Sequence, residues 1–390
     1  MRRRPAPYEG VAVCAPVTVP YVRFSPESAH WWAGRALRQL AQASGLTRSD
    51  IDGFCFTSFS AGPDTAVGLT QHLGLSPRWL DHIPTGGASG VMALRRAARA
   101  VQCGDAEIVV CLAADANQID SFRHSLSHFS RFSQDAVYPY GFGGPNATFA
   151  LITDAFMREF GITRTEFGKL CVAQRANARS NPLALQRKPL SLEDYIAARP
   201  IADPVHLYDC VMPCAGAEAF LVTTPEVAAA RGLPAAQILA TIERHNAFPD
   251  DLVQLRGGWE MDIDTFWEAG GISPGDVDTL QVYDDYPVIV AMQIGDLGFC
   301  PKGGVAEFIR RTSFEIGGDL PLNTNGGQLS AGQAGAAGGF QNLTEGLRQI
   351  IAQPLGDQVP GAEISLVSGF GLVNFDRGVC TGAAALRALR

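Results

Sequence analysis

Long apolar runs are missing from this 390-residue chain, and so is any excess of positive charge. No stretch approaches the length that spans a bilayer, so no membrane anchor is expected. Lys and Arg number 31 against 39 Asp and Glu, and no basic stripe stands out, which argues against wrapping a nucleic acid. The basic start, Met1-Arg2-Arg3-Arg4, is followed from Pro5 to Pro20 by no continuous apolar segment, so no secretory signal is expected. Paired CxxC motifs are absent. The nine cysteines are scattered and odd in number, which suits reduced thiols in a cytoplasmic protein better than a disulfide framework. Cys210 and Cys214 form one isolated CxxxC, a weak zinc signal. His124 and His128 lie at i, i+4 spacing without a neighbouring carboxylate motif, so no bound metal is expected.

What is present is alternation. Val11–Val17, Phe54–Ser58 and Ile108–Ala113 read as strands, and the last is apolar throughout, as in a strand covered on both faces. Ser28–Ser44 and Gly87–Cys103 carry apolar residues at three- and four-residue steps and read as helices. The rhythm breaks from about Asn117 to Pro200, a segment rich in Phe, Arg, Ser and Pro that reads as an insertion, helical over Arg164–Ala178. It then resumes. Ala236–Ile242 and Thr279–Tyr283 read as strands; Ile263–Ala269, Val288–Leu297 and Ala337–Ile351 read as helices. Ser365–Ser368 reads as a strand entering a Gly-Phe-Gly turn, and 373–388 completes the sheet. The expected class is a layered α/β fold.

An internal repeat links the two parts. Gly45-Leu46-Thr47-Arg48-Ser49-Asp50-Ile51-Asp52 and Gly271-Ile272-Ser273-Pro274-Gly275-Asp276-Val277-Asp278 share one design. A Gly ends a helix, a Thr or Ser caps a short turn, and Asp-apolar-Asp precedes a strand. Each is followed downstream by a Gly-rich turn, a long helix and an apolar strand. Such repetition points to a duplicated fold. The expected units are 1–116 with 201–230, an insertion at 117–200, and 231–390.

Four segments carry a family likeness. Gly87 followed by Ala88-Ser89-Gly90 resembles the start of the nucleophile helix of thiolases, which commonly reads Cys-Ala-Ser-Gly. Val282-Tyr283-Asp284-Asp285-Tyr286 resembles their Asn-Glu-Ala-Phe or His-Asp-x-Phe segment. Asn323-Thr324-Asn325-Gly326-Gly327 with Gly332-Gln333-Ala334 resembles Asn-x-x-Gly-Gly…Gly-His-Pro. Ser368-Gly369-Phe370-Gly371 resembles the turn bearing the second catalytic cysteine. Order and spacing match along the whole chain. The likeness is to sterol-carrier-protein-type thiolases and implies a duplicated αβαβα thiolase fold with a long loop insertion.

The departures fall at the chemistry. Gly87 stands for the nucleophile, Gln333 for the motif His, Ser368 for the second Cys and Tyr283 for the Asn or His; Cys380 lies too late in the chain to replace the second cysteine. Acyl transfer needs a thiolate, and glycine offers none. Retro-aldol cleavage of a β-hydroxyacyl-CoA needs only acid–base groups and a cradle for the enolate. Thiolase-fold aldolases that degrade steroid side chains do this chemistry, and this chain resembles them in its Tyr283-Asp284 pair. The resemblance makes Tyr283 the leading acid–base residue, with Asp284 orienting backbone or water. Gln333 takes the place of a second tyrosine in those aldolases and cannot act as a base, so Tyr286, Tyr140 or His82 is a candidate for that role. Gly87, Ser89, Gly327, Ser330, Ser368, Gly369, Phe370 and Gly371 are candidates for holding substrate or oxyanion, with open space expected above Gly87. Trp31, Trp32 and the aromatics of Phe122–Phe142 are candidates for an apolar pocket. Coenzyme A enters as part of the substrate, with no tightly bound cofactor. The resemblance also implies a homodimer and a small zinc-ribbon/OB-fold partner completing a heterotetramer. A silent acyl-CoA-binding subunit and a thiolase-type acyltransferase remain alternatives at this point.

Overall fold

The structure, a computed structural model, describes residues 7–119, 131–142 and 144–389. His124 and His128 lie outside the described residues. Eleven strands are present among those described: β1 Ala12–Val22, β2 Gly53–Thr57, β3 Trp79–His82, β4 Val109–Asp115, β5 Pro200–Ala202, β6 Val205–His206, β7 Ala215–Thr223, β8 Ala235–His245, β9 Thr279–Gln281, β10 Ile364–Asn374 and β11 Arg377–Ala388. Nine of them run in the order β3-β2-β4-β7-β1-β8-β11-β10-β9, while β5 and β6 form a separate hairpin.

That order is a duplication. β2-β4-β7-β1 on one side and β9-β10-β11-β8 on the other are the same arrangement, and the halves meet where β1 pairs antiparallel with β8. The sequence repeat explains how each half begins. Gly45 and Gly271 are left-handed ends of the Ala29–Ser44 and Trp259–Gly270 helices. Thr47 and Ser273 close reciprocal caps with Asp50 and Asp276. Asp52 then accepts the backbone N–H groups of Glu107 and Ile108, and Asp278 those of Glu363 and Ile364. In each half one carboxylate thereby ties the strand it precedes to the start of its neighbour.

Apolar burial stacks five layers. Trp32, Leu37 and Leu40 pack the Ala29–Ser44 helix on the outside of the first half. Trp259 and Phe266 do the same for the Trp259–Gly270 helix on the second. Between the halves lie the Ser89–Cys103 and Gly338–Ile350 helices, with Val91, Leu94, Phe340 and Leu347 in one shared core. They cross at Gly90, where a Cβ would strike the Gly339 carbonyl. The insertion supplies the Gly144–Phe160 and Arg164–Asn177 helices, and Phe149, Phe156 and Phe167 pack into the second half's outer core.

Two expectations are corrected. Ser368 does not lead into a turn: β10 continues through Gly369-Phe370-Gly371 to Asn374, paired with β11 throughout. Trp31 and Trp32 do not line a pocket by the candidate residues. Trp32 is outer-layer core, and Trp31 is half-exposed beside it.

Candidate active site

The Gly86–Ala88 turn leads directly into the Ser89–Cys103 helix, so position 87 sits at the mouth of the central layer. A side chain there has nowhere to go. A Cβ on Gly87 would overlap the Tyr283 ring and the Phe370 carbonyl oxygen. The open space expected above Gly87 is therefore occupied, and its occupant is the candidate catalytic tyrosine. A side chain at 87 and the Tyr283 ring in its present place exclude one another sterically. β10 comes close enough to make it because Gly369 and Gly371 lack side chains: a Cβ on Gly369 would lie 2.8 Å from the Gly87 carbonyl, and one on Gly371 would overlap the Thr85 carbonyl. Phe370, buried between Trp259 and Phe149, anchors the strand there.

Tyr283 follows β9 and precedes the Pro287–Asp296 helix. Its backbone is held by that helix: Gln293 Nε2 donates to the Tyr283 carbonyl at 2.7 Å, and Ser368 Oγ donates to Gln293 Oε1 at 2.5 Å. Ser368 thus braces the tyrosine through Gln293, and its hydroxyl is committed. The Asp285 carboxylate is near enough to the phenol that its charge raises the phenol's proton affinity. Gln333 Nε2 donates to Asp285 Oδ1 at 2.7 Å and lies 3.4 Å from the Tyr283 hydroxyl. Tyr283, Asp285 and Gln333 form one polar triangle beside Gly87.

Asp285 stood in the quoted motif without a role, and it is a candidate acid–base group that sequence reasoning missed. The two adjacent aspartates face opposite ways. Asp284 is fully buried and accepts the N–H groups of Gln328 and Leu329, at 2.9 and 3.2 Å. Asp285 is half-buried and turns to Tyr283 and Gln333. A tyrosine one residue before and another one residue after leave no periodic signal to say which carboxylate faces the site.

Burial sets the charge states. It raises Asp285 to about 7, opposed by the nearby Tyr283 hydroxyl and the Gln333 amide and helped by the neighbouring Asp284 charge. It raises Asp284 to about 6, opposed chiefly by the two backbone donors. Tyr283 is driven well above the ordinary phenol range by burial and then by the Asp285 charge. Near neutrality the triangle therefore holds a protonated phenol beside a carboxyl poised to take or release a proton.

The second Gly-rich turn is not a free cradle. Gly327 N–H donates to Asn325 Oδ1, the next two N–H groups go to Asp284, and a Cβ on Gly327 would overlap Asp284. Ser330 Oγ accepts from Arg175 Nε at 2.8 Å. Ser89, fully buried, binds the Ile83 carbonyl and meets Thr57 and Thr85. The polar groups of these residues are taken by the protein's own hydrogen bonds.

His82 ends β3, where its ring stacks on Phe56, and no hydrogen bond joins it to the triangle. Tyr140 is exposed. Tyr286 lies close by, but its hydroxyl donates to Asn146 Oδ1 at 2.5 Å and its ring stacks on Phe149. Cys380 lies on β11, its thiol directed at the Gly371 and Thr85 carbonyls and raised by burial to about 12. Cys210 donates weakly to the His206 carbonyl and to Asn146, and burial lifts it to about 12. Among the described residues, no group of three or more His, Cys, Asp or Glu is placed to hold a metal ion, and no helix is long and apolar enough to cross a membrane.

Four carboxyls, the buried Asp284, Asp296 and Glu218 and the half-buried Asp285, have proton affinities raised to about 6, 7, 7 and 7, chiefly by loss of solvent around the charged form. Each is protonated more readily folded than unfolded, so its favourable contribution is present at low pH and is lost as pH rises to about 7. Ion-paired carboxylates such as Glu243 and Asp251 are lowered and have completed their opposite change below pH 5. The melting temperature is therefore expected to fall between pH 5.5 and 7.5. A rise across that interval in a calorimetric scan would contradict the raised proton affinities of these four groups.

Residues 264–380 match the family model "Thiolase C-terminal domain-like". The chain is 32% identical over 356 residues to the 17-hydroxy-3-oxo-4-pregnene-20-carboxyl-CoA lyase of Mycobacterium tuberculosis, covering 86% of this chain and 90% of that protein. It is 29% identical over 348 residues to the steroid side-chain-cleaving aldolase of Thermomonospora curvata, covering 84% and 87%. Among solved structures, the Ltp2-ChsH2(DUF35) aldolase superposes with a TM-score of 0.82 at 25% identity over 98% of both chains. The chain belongs to the thiolase-like superfamily, in the branch that contains the acyl-CoA lyases.

Proposed function

We propose that the chain cleaves a β-hydroxyacyl-CoA by a retro-aldol reaction at the Tyr283–Asp285–Gln333 triangle. The observation that carries this reading is the Tyr283 ring in the space of a Gly87 side chain. It removes the acyl acceptor and sets a proton donor in its place. Asp285, ionised, takes the proton of the β-hydroxyl. The oxygen's electron pair forms the new C=O bond as Cα–Cβ breaks, and the electron pair of that bond passes to Cα as the thioester enolate. Tyr283 gives its proton to Cα and recovers one from Asp285. The products are an aldehyde or ketone and a shortened acyl-CoA, with no net proton change. Gln333 keeps the carboxylate oriented and ionisable.

The similarity to a 17-hydroxy-3-oxo-4-pregnene-20-carboxyl-CoA lyase and to a steroid side-chain-cleaving aldolase supports a steroid-derived acyl group. The two-component name of the similar structure supports a DUF35 partner; we propose a small zinc-ribbon/OB-fold protein and a homodimer of this chain in the same assembly. Duplicated units at 1–116 with 201–230 and at 231–390 are proposed to flank the 117–200 insertion. Incubating the chain with steroid and straight-chain β-hydroxyacyl-CoAs, with and without such a partner, tests the reading. Equal amounts of carbonyl product and shortened acyl-CoA are expected. Binding without cleavage in every combination would instead favour a silent subunit.

A further inference from the structure

Gln333 carries the grip on Asp285, yet it lies on an irregular turn between two short helical segments, Gly327–Ala331 and Gly335–Ala337. Its backbone is fixed from one side only by the 212–214 segment: Gln333 N–H donates to the Met212 carbonyl, and Cys214 N–H to the Gln333 carbonyl, each at 2.9 Å. The other side of the turn ends on a buried carboxylate at the end of β4. Asp115 Oδ2 accepts the Ala336 N–H at 2.6 Å. Its Oδ1 accepts the N–H groups of Phe59 and Ser60 and the hydroxyls of Ser58 and Ser60, at 2.9, 2.7, 2.9 and 2.5 Å. Gly335, at φ +52°, presses against the same carboxylate so closely that a Cβ would overlap it. Two residues on, Asn117 Nδ2 donates to the Pro213 carbonyl at 3.1 Å, and Pro213 bridges to Gln333.

The 58–60 loop also leads to the site. Phe59 reaches over the Gly86 position, its ring 3.0 Å from where a Cβ would stand, with Leu372 beside it. One carboxylate thus joins an aromatic lip from the first half of the fold to the Gln333 turn from the second.

We infer that Asp115 is a positioning residue for the reaction: by clamping the Phe59 loop and the Ala336 N–H together, it holds Gln333 against Asp285. It touches no reacting atom. This rests on the reading of Asp285 as the proton acceptor. The groups facing Asp285 electrostatically are Tyr283, Asp284, Tyr286 and Cys210, and none lies on the segments that Asp115 clamps.

The test follows the protonation of Asp285 without substrate, by carbon-13 NMR of aspartate-labelled full-length chain, with its signal identified by Asp285→Asn. Gln333→Met removes the donor directly and is expected to move the Asp285 midpoint upward by about one unit, a tenfold change in proton affinity. Asp115→Asn puts an amide donor among donors and is expected to move it the same way by a similar amount. The double variant should move it no further than either single one. An unmoved midpoint in Asp115→Asn, or shifts that add, would overturn the inference and leave a purely structural role. If Asp115→Asn fails to fold, Ser60→Ala removes one donor and is expected to give a smaller shift of the same sign; no shift overturns it equally. Because substrate is absent, a chain that cleaves nothing refutes the proposed function without touching this result. An unmoved midpoint refutes the positioning role even where cleavage is intact.

Discussion

Replacing Gly87 with cysteine is expected to abolish cleavage without creating a thiolase. The substitution restores the residue type found in thiolases at this point, but its Cβ meets the Tyr283 ring and the Phe370 carbonyl. Overpacking of a dense core costs about 1–3 kcal/mol, and more where backbone must yield. The Phe370 carbonyl belongs to β10, which is paired along its length with β11, so relief falls on the tyrosine. If the ring leaves, the proton donor leaves with it. A loss of at least about 100-fold in kcat/KM is expected, consistent with removing an acid–base group, together with a lowered melting temperature. Gly87→Ala should do nearly the same, because the clash begins at Cβ. Adding Tyr283→Ala to Gly87→Cys should recover much of the stability and none of the cleavage. A Gly87→Cys variant that folds normally and cleaves normally would show that the two side chains do not exclude one another.

Removing the carboxylate of Asp285 is expected to be among the most damaging conservative changes in the site. Asp285→Asn keeps the shape and abolishes proton acceptance, for an expected loss of about 10²–10⁴ in kcat. Tyr283→Phe should lose rate on the same scale, since the ring still fills the Gly87 space while the proton donor is gone. The pH dependence separates their roles. Asp285 must be ionised to accept a proton, and burial sets it at about 7, so wild-type kcat/KM should rise through about pH 7. Tyr283 is held far above the ordinary phenol range, so its ionisation should not limit the rate in the neutral region. In Tyr283→Phe the residual rate should still rise with Asp285. In Asp285→Asn that rise should vanish. An Asp285→Asn enzyme with the wild-type profile would assign the base to another group.

Much of the fold is legible because it is written twice in local signals. Gly45 and Gly271, Thr47 and Ser273, Asp52 and Asp278 announce the same helix end, cap and strand tie, and these depend on residues a few positions apart. The missing nucleophile and the tyrosine are also legible, as departures from a motif. What links them is not. The contact between Gly87 and Tyr283 joins distant parts of the chain, so a glycine reads as lost chemistry until the ring is seen above it. The division of labour between Asp284 and Asp285 is hidden for a different reason. The segment after β9 is irregular, and without a period neighbouring side chains carry no facing information. The Gly-rich turn at 326–330 looked like a donor cradle because glycine there leaves N–H groups accessible. Asp284 and Asn325 take them instead.

The absence of a covalent acyl intermediate is tested most directly by the intact mass of the protein during turnover of a β-hydroxyacyl-CoA, read with the products of the same reaction. An unmodified chain throughout, with carbonyl compound and shortened acyl-CoA formed one for one, is the expected result. An acyl group on any of the nine cysteines during turnover, or cleavage that depends on added free coenzyme A, would contradict it.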